Sequence, residues 1–351
     1  MSLLPLIPAA ELPPVLVTGG AGYIGSNAAL ALLDMGVKVV VLDDLSLGSR
    51  GLVPAGAIFV EGRAGDQALV GRLIAEHGIG AILHFAARIS VAESVEQPAL
   101  YYAENFGETL KLAESALAGG VGAFVMSSTA AVYGNGPNDP LRGNAPLPVS
   151  APVAPINPYG WSKAFAERML ADLVAANRGF SVACPRYFNV AGADPLLRSG
   201  QASRHPHHLI ELACHVLTGQ RERFTIFGDD YPTRDGTGVR DYIHVTDLAD
   251  AHVLLLRACL ADPGQYHVMN LGYGTGASVT EVLDALERVA GQPIPRHIGP
   301  RRAGDPATLV AASDAAALLG WQPRFADLEQ IVGHALAWER QRLSATGLQP
   351  G

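Results

Sequence analysis

Short apolar runs alternate with longer stretches of helical apolar spacing through the first half of the chain. Val15–Thr18 is a compact β-branched run and predicts a strand. The glycine-rich segment Gly19-Gly20-Ala21-Gly22-Tyr23-Ile24-Gly25 follows at once. Apolar residues then recur at Ile24, Ala28, Ala31, Leu32 and Met35, a helical spacing that Gly36 ends. Residues 37–42 predict a second strand, buried on both faces and stopping at Asp43-Asp44. Strand, glycine turn, helix, strand is one βαβ unit. Further strands are predicted at 57–60, 81–85, 123–127 and 181–186, with helices at 67–77, 99–118 and 159–176 between them. This rhythm predicts an α/β fold, a doubly wound, Rossmann-like parallel sheet covered on both faces.

The texture changes at 134–158, where seven prolines fall within 22 residues from Pro137 to Pro158. So long a surface loop inside a compact domain points to function. Beyond about residue 190 the strand rhythm weakens. Short strands are predicted at 224–227, 242–245 and 267–271, and helices at 209–217, 247–260, 279–290 and 328–340. Ser278 and Glu281 have capping-box spacing, and Gly291 closes the same helix. The expected division is a nucleotide-binding domain over 14–190 and a smaller α/β lobe over 191–345, with crossovers between the two left open.

Composition narrows the class. The chain has 351 residues, 49% apolar and 17% charged, enough for a sizeable core. A net charge of −8 offers no basic field to nucleic acid or to an acidic membrane. No apolar run nears the roughly 18 residues of a membrane span. The first dozen residues carry no Lys or Arg, against a secretory signal. Cys184, Cys214 and Cys259 have no paired spacing, so a reduced, cytoplasmic chain without a disulfide framework is expected. His205, His207 and His208 cluster, but without a carboxylate or cysteine at ligand spacing, and no metal is assigned.

The candidate chemistry lies at three places. Gly19, Gly22 and Gly25 sit between a strand and a helix, where small residues let the backbone approach a diphosphate and the helix N-terminus adds N–H donors. Asp43 ends the next strand, where a carboxylate takes the hydroxyls of an adenosine ribose and repels a 2′-phosphate, favouring NAD. Tyr159 and Lys163 are four apart in a helix that Asn157-Pro158 would open, so they share a face. That lysine is one of three in the chain, beside 22 arginines, and a compact ammonium suits a ribose and a phenol better than a guanidinium fork. Lowering a phenol from about 10 to near 7 takes roughly 4 kcal/mol. One charge at about 5 Å supplies about 3 kcal/mol at an effective dielectric near 20. Tyr159 is then the expected general base. Thr129, last of the hydroxyls Ser127-Ser128-Thr129 at a strand's carboxyl end, is the expected partner of the reacting group.

These segments resemble an extended short-chain dehydrogenase/reductase. The carriers are 18–26 (TGGAGYIGS), 127–134 (SSTAAVYG) and 158–163 (PYGWSK). Two more, 186–193 (RYFNVAGA) and 227–245 (FGDDYPTRDGTGVRDYIHV), are similar to the UDP-glucose 4-epimerase family, a likeness running from about 14 to 340. The resemblance implies an isomerase that oxidises a UDP-sugar transiently to its 4-keto form on NAD, with Thr129, Tyr159 and Lys163 catalytic. It implies cofactor contacts from Gly19, Gly22, Tyr23, Ile24, Gly25, Asp43, Asp44, Phe85, Ala86, Asn105, Lys163 and Phe188. It gives Thr129, Tyr159, Asn189, His208, Phe227, Arg240, Arg302 and Asp305 to the UDP-sugar, the arginines near its diphosphate. It also implies a homodimer through the helices near 101–118 and 159–176.

Departures from the family pattern carry their own expectations. Asn27 replaces a frequent His. Arg63 stands where the family usually has an Asp that reaches the adenine amino group, so weaker retention of NAD is expected. Ile89 replaces a Lys, and His207 and His208 fall where an Asn often contacts uridine. Thr308, small where a bulky Tyr can exclude N-acetylated sugars, predicts an enlarged sugar pocket. A UDP-pentose 4-epimerase needs the same catalytic groups and stays open. A 4,6-dehydratase is disfavoured because Ala130-Ala131 follow Thr129 and can move no proton. A non-catalytic NAD-binding protein would be expected to lose the Tyr/Lys pair.

Overall fold

The computed structural model describes residues 3–134, 144–203, 206–302 and 305–346. Its main sheet is built from β1 (Val15–Thr18), β2 (Val39–Asp43), β3 (Ile58–Glu61), β4 (Ala81–His84), β5 (Ala123–Met126), β6 (Ser128–Thr129) and β7 (Ser181–Tyr187). Strands β8 (Asn189–Ala191), β9 (Phe224–Phe227) and β10 (Val239–His244) follow, then β11 (Tyr266–Leu271). The sheet order is β11-β7-β5-β4-β1-β2-β3, with β6 beside β7, and every pairing in it is parallel. The order reverses between β1 and β4, and in such sheets ligands bind at that point, outside the carboxyl ends of the strands.

Strand alternation explains the two faces. Val15, Val17, Val39, Val41, Leu83 and Val125 pack on one side against α1 (Tyr23–Asp34) and α8 (Val245–Ala261). Leu16, Val40, Leu42, Ile82 and Phe124 pack on the other against α2 (Gln67–His77), α5 (Glu108–Ala118) and α6 (Pro158–Ala176). The continuous apolar reading of residues 37–42 follows from this double coverage.

Two differences from the sequence reading have plain causes. After a short α3 (Val91–Glu96), the helix expected over 99–118 is instead α4 (Pro98–Tyr101), a π turn at Tyr102–Gly107, and α5. The turn carries Asn105 inward, where its amide bonds to Ser162 Oγ at 3.1 Å and to the Arg88 carbonyl at 3.0 Å. The strand expected over 242–245 stops at His244, whose Nδ1 accepts the Thr246 N–H and caps α8 with no intervening loop.

The chain also crosses between lobes after residue 190. Helices α8 and α10 (Ala315–Leu319) pack on the first sheet and β11 forms its edge, while α7 (Leu209–Leu217), α9 (Val279–Ala290) and α11 (Leu328–Thr346) enclose a separate core with Ile226 and Tyr242. In that lobe β10 pairs with β8, with β12 (Gly276–Ser278) and with β14 (Thr308–Leu309), and β9 pairs with β13 (Arg296–Gly299). The capping box of α9 forms as its spacing predicts, and Gly291 ends the helix at φ +70°. All three cysteines are buried and unpaired. No helix among the described residues is long and apolar enough to cross a membrane.

Candidate active site

A cavity of about 340 Å³ runs along the carboxyl ends of the parallel strands. Gly19, Gly22, Tyr23, Ile24 and Gly25 form its floor, Asp43 and Asp44 one flank, and Phe85 and Ala86 the opposite flank. Glycine is required at two of these positions. A Cβ on Gly19 would lie 2.5 Å from Ala86 N, at φ +70°, and one on Gly25 would lie 2.2 Å from Gly19 O. The backbone therefore makes a cradle that side chains would fill, with the N-terminus of α1 pointing into it, and this fits a dinucleotide diphosphate.

Asp43 is buried and shapes the turn beside the cradle. Its Oδ2 accepts the Ala21 N–H at 2.9 Å and its Oδ1 the Leu45 N–H at 2.8 Å. Burial pushes its carboxyl up, and those two backbone donors hold it down. Asn27 donates to the Tyr23 carbonyl at 2.8 Å and to Ser199 Oγ at 3.3 Å, so it ties the glycine turn to the second lobe.

Thr129, Tyr159 and Lys163 reach the same cavity from three directions of the sequence, joined by Phe188, Asn189 and His208. The Asn157 side chain caps α6 by accepting the Gly160 N–H at 2.8 Å, and Pro158 opens the helix, which sets Tyr159 in its first turn. Thr129 Oγ1 accepts the Ala131 N–H at 3.1 Å, fixing the hydroxyl at the strand end. Lys163 is 2% exposed and donates to the Ser127 carbonyl at 2.9 Å. Burial lowers its ammonium to about 8, against the attraction of Glu167. For Tyr159 the electrostatics differ from the sequence expectation. Burial pushes the phenol up and the Thr129 hydroxyl lowers it, while the Lys163 charge is directed at the Ser127 carbonyl.

Five expected site residues lie outside the cavity lining. Asn105 is buried between Ser162 and the Arg88 backbone, where it positions the segment after β4. Phe227, Arg240, Arg302 and Asp305 instead meet one another in the second lobe. Arg240 pairs with Asp305 at 3.3 Å, and the Arg302 guanidinium lies 4.0 Å above the Phe227 ring. Thr308 does not widen this cavity. It is buried, donates to Asn144 Oδ1 at 3.0 Å and lines a second, separate cavity, because strand alternation turns Leu309 instead toward the cluster of Val132, Tyr133 and Leu147. The His207 and His208 rings lie 4.0 Å apart, tilted by 38°, and His205 lies outside the described residues. Among the described residues no three potential ligands gather around a metal position.

Sequence reasoning missed several lining residues. Tyr187 lines the cavity beside Tyr159, and Arg88, Glu104 and Gln201 to Ser203 join it. Tyr187 ends β7 at the same sheet edge as Thr129, its partner across the β6–β7 ladder, so strand-end position was the available signal.

Comparison with known proteins adds the family. A sequence model of the NAD dependent epimerase/dehydratase family matches residues 15–272. The chain belongs to the NAD dependent epimerase/dehydratase family. Within that family it is similar to the UDP-glucose 4-epimerase of Azospirillum brasilense, 48% identical over 336 residues, covering 95% of this chain and 94% of the relative. It is also similar to the crystal structure of UDP-glucose-4-epimerase from Stenotrophomonas maltophila with bound NAD and formylated UDP-arabinopyranose. That likeness has a TM-score of 0.89 and 37% identity, over 95% of this chain and 100% of the other. The Bifidobacterium longum UDP-glucose 4-epimerase in complex with NAD⁺ and UDP gives 0.85 and 36%, over 93% and 98%.

Proposed function

We propose that this epimerase-family chain is a cytoplasmic 4-epimerase of UDP-sugars that works on NAD, interconverting UDP-glucose and UDP-galactose. The observation that carries the reading is a single cavity with a glycine cradle at one end and Thr129, Tyr159 and Lys163 at the other. Relatives named UDP-glucose 4-epimerase align over nearly the whole chain, which supports the substrate class. In this reading Gly19, Gly22, Tyr23, Ile24 and Gly25 hold the diphosphate of the dinucleotide, Asp43 and Asp44 its ribose, and Phe85, Ala86 and Phe188 its flanks. A bound dinucleotide of this kind supplies a reversible acceptor for the hydrogen on the sugar carbon. Tyr159 takes the proton of the 4-hydroxyl and returns it after the sugar has turned over. Thr129 orients that hydroxyl, and Lys163, held at the Ser127 carbonyl, brings positive charge to the same end of the cavity. Asn189 and His208 face the sugar nucleotide from the cavity, and Arg240, Arg302, Phe227 and Asp305 receive its uridine and diphosphate end.

The test is incubation of purified protein with UDP-galactose, UDP-N-acetylgalactosamine and UDP-arabinopyranose, without added NAD, followed by separation of products. Conversion of UDP-galactose is expected, and its absence would overturn the reading. The second reading, a UDP-pentose 4-epimerase, is favoured by the solved relative that holds a formylated UDP-arabinopyranose, and preferential conversion of the pentose would select it.

A homodimer completes the proposal. Trp161 and Phe165 on α6 are 37% and 46% exposed, yet they pack with Tyr102 and Phe106 into an aromatic face at the surface. An apolar patch of this kind on adjacent helices marks an association surface. Phe165→Asp is expected to convert the dimer to a monomer in sedimentation velocity. An unchanged dimer would move the interface elsewhere.

A further inference from the structure

The cavity has a far end that the proposed chemistry leaves unexplained. Past Asp43, toward the edge strand β3, its wall is made by Gly62, Arg63 and Ala64 on one side and by Glu104 and Glu108 on the other. A dinucleotide with its diphosphate on the Gly19–Gly25 turn and its ribose at Asp43 puts its purine base here.

The groups on this wall are not equivalent. Glu108 is committed: its Oε2 accepts the Gly65 N–H at 2.8 Å and Arg63 Nε at 3.5 Å, and its Oε1 pairs with Lys111 at 3.4 Å. Arg63 can only donate. Glu104 differs from both. Its Oε1 accepts Arg63 Nη2 at 2.6 Å, while its Oε2 has no hydrogen bond among the described residues. The side chain is 23% exposed and stands on the π turn that the buried Asn105 anchors from behind. Ala64 N–H, in the turn after β3, also has no hydrogen bond among the described residues. The wall thus presents one charged acceptor and one amide donor. Adenine offers the complementary pair, an exocyclic amino group and a ring nitrogen. Hypoxanthine would turn a carbonyl oxygen toward the carboxylate.

We propose that Glu104, held by its ion pair with Arg63, is the residue through which this chain selects an adenine dinucleotide by its 6-amino group. The inference rests on the dinucleotide reading of the cavity. It also reverses the expectation for Arg63: the guanidinium cannot accept from the base, but it fixes a carboxylate that can.

The experiment equilibrates the full-length protein with mixed NAD and nicotinamide hypoxanthine dinucleotide, then releases and quantifies the bound nucleotides by chromatography. Wild type is expected to prefer NAD by about tenfold or more, the scale of one hydrogen bond to a charged group. Glu104→Ala should bring the two nucleotides near parity, and Arg63→Ala should narrow the preference several-fold. Glu104→Gln keeps the shape and one acceptor, and should fall between wild type and Glu104→Ala. A wild type that does not discriminate overturns the proposal. So does a Glu104→Ala that loses both nucleotides by the same factor, as a mere wall contact would. If wild type binds neither nucleotide, the dinucleotide reading itself fails and this inference falls with it.

Discussion

Tyr159→Phe is expected to reduce turnover by about three orders of magnitude while UDP-sugar affinity changes little, because in the proposed reaction only the group that moves the proton is removed. The ring remains, and its edge-on contact with Tyr101 at 6.4 Å should keep the first turn of α6 in place. Lys163 is bonded to the Ser127 carbonyl, not to the phenol, so its position should also survive. Turnover of UDP-galactose measured beside UDP binding by calorimetry separates the two effects. A variant retaining a tenth of wild-type turnover would remove Tyr159 from proton transfer. The neighbouring phenol of Tyr187 is the natural substitute to examine in that event, since it lines the same cavity.

Glu167→Gln is expected to destabilise the fold by about 3–5 kcal/mol, the cost of leaving a buried partner charge uncompensated. Glu167 lies one turn beyond Lys163 and is 4% exposed; Arg186 on β7 is 6% exposed. Arg186 Nη2 donates to Glu167 Oε2 at 2.6 Å and Nε to Oε1 at 3.0 Å, and the Ser128 hydroxyl donates to the same carboxylate. Arg186 also reaches Tyr133 Oη at 3.0 Å, and Tyr133 donates to Asn270 on β11 at 2.6 Å. The network therefore fastens α6, β6, β7 and β11 together directly behind the reacting groups. Urea denaturation should show the loss as a lower midpoint with an unchanged slope. Adding Arg186→Gln to Glu167→Gln should cost less than the two single losses combined, because the orphaned charge is then gone. Strict additivity would mean that the two groups do not act as a pair.

The fold was readable from sequence wherever one local rule acted alone. The βαβ start, the double-sided strands and the caps of α6 and α9 all followed from spacing and residue type. What escaped depended on partners distant in sequence. The π turn exists because Asn105 is drawn toward Ser162 and Arg88, contacts that no window of residues contains. Likewise α8 carries ordinary helical spacing, and nothing in that spacing says which of two sheets it will cover. The candidate site divides the same way. Tyr159, Lys163, Thr129 and the glycines were legible because their chemistry needs fixed spacing next to recognisable elements. The Arg63–Glu104 pair was not, since its two members lie 41 positions apart. Nor does any spacing tell that Thr308, on a two-residue strand beside β10, lines the second cavity.

The polypeptide passes from one lobe to the other where β7 runs into β8, where β10 runs into α8 and where β11 leads to β12, and twice more on either side of residues 315–321, which pack on the first core between β14 and α11. Parting the lobes would thus require five backbone segments to flex in concert, one of which has no loop at all. A single-pivot hinge is unavailable to such a molecule. Slow escape of anything lodged between the lobes is the mechanical outcome.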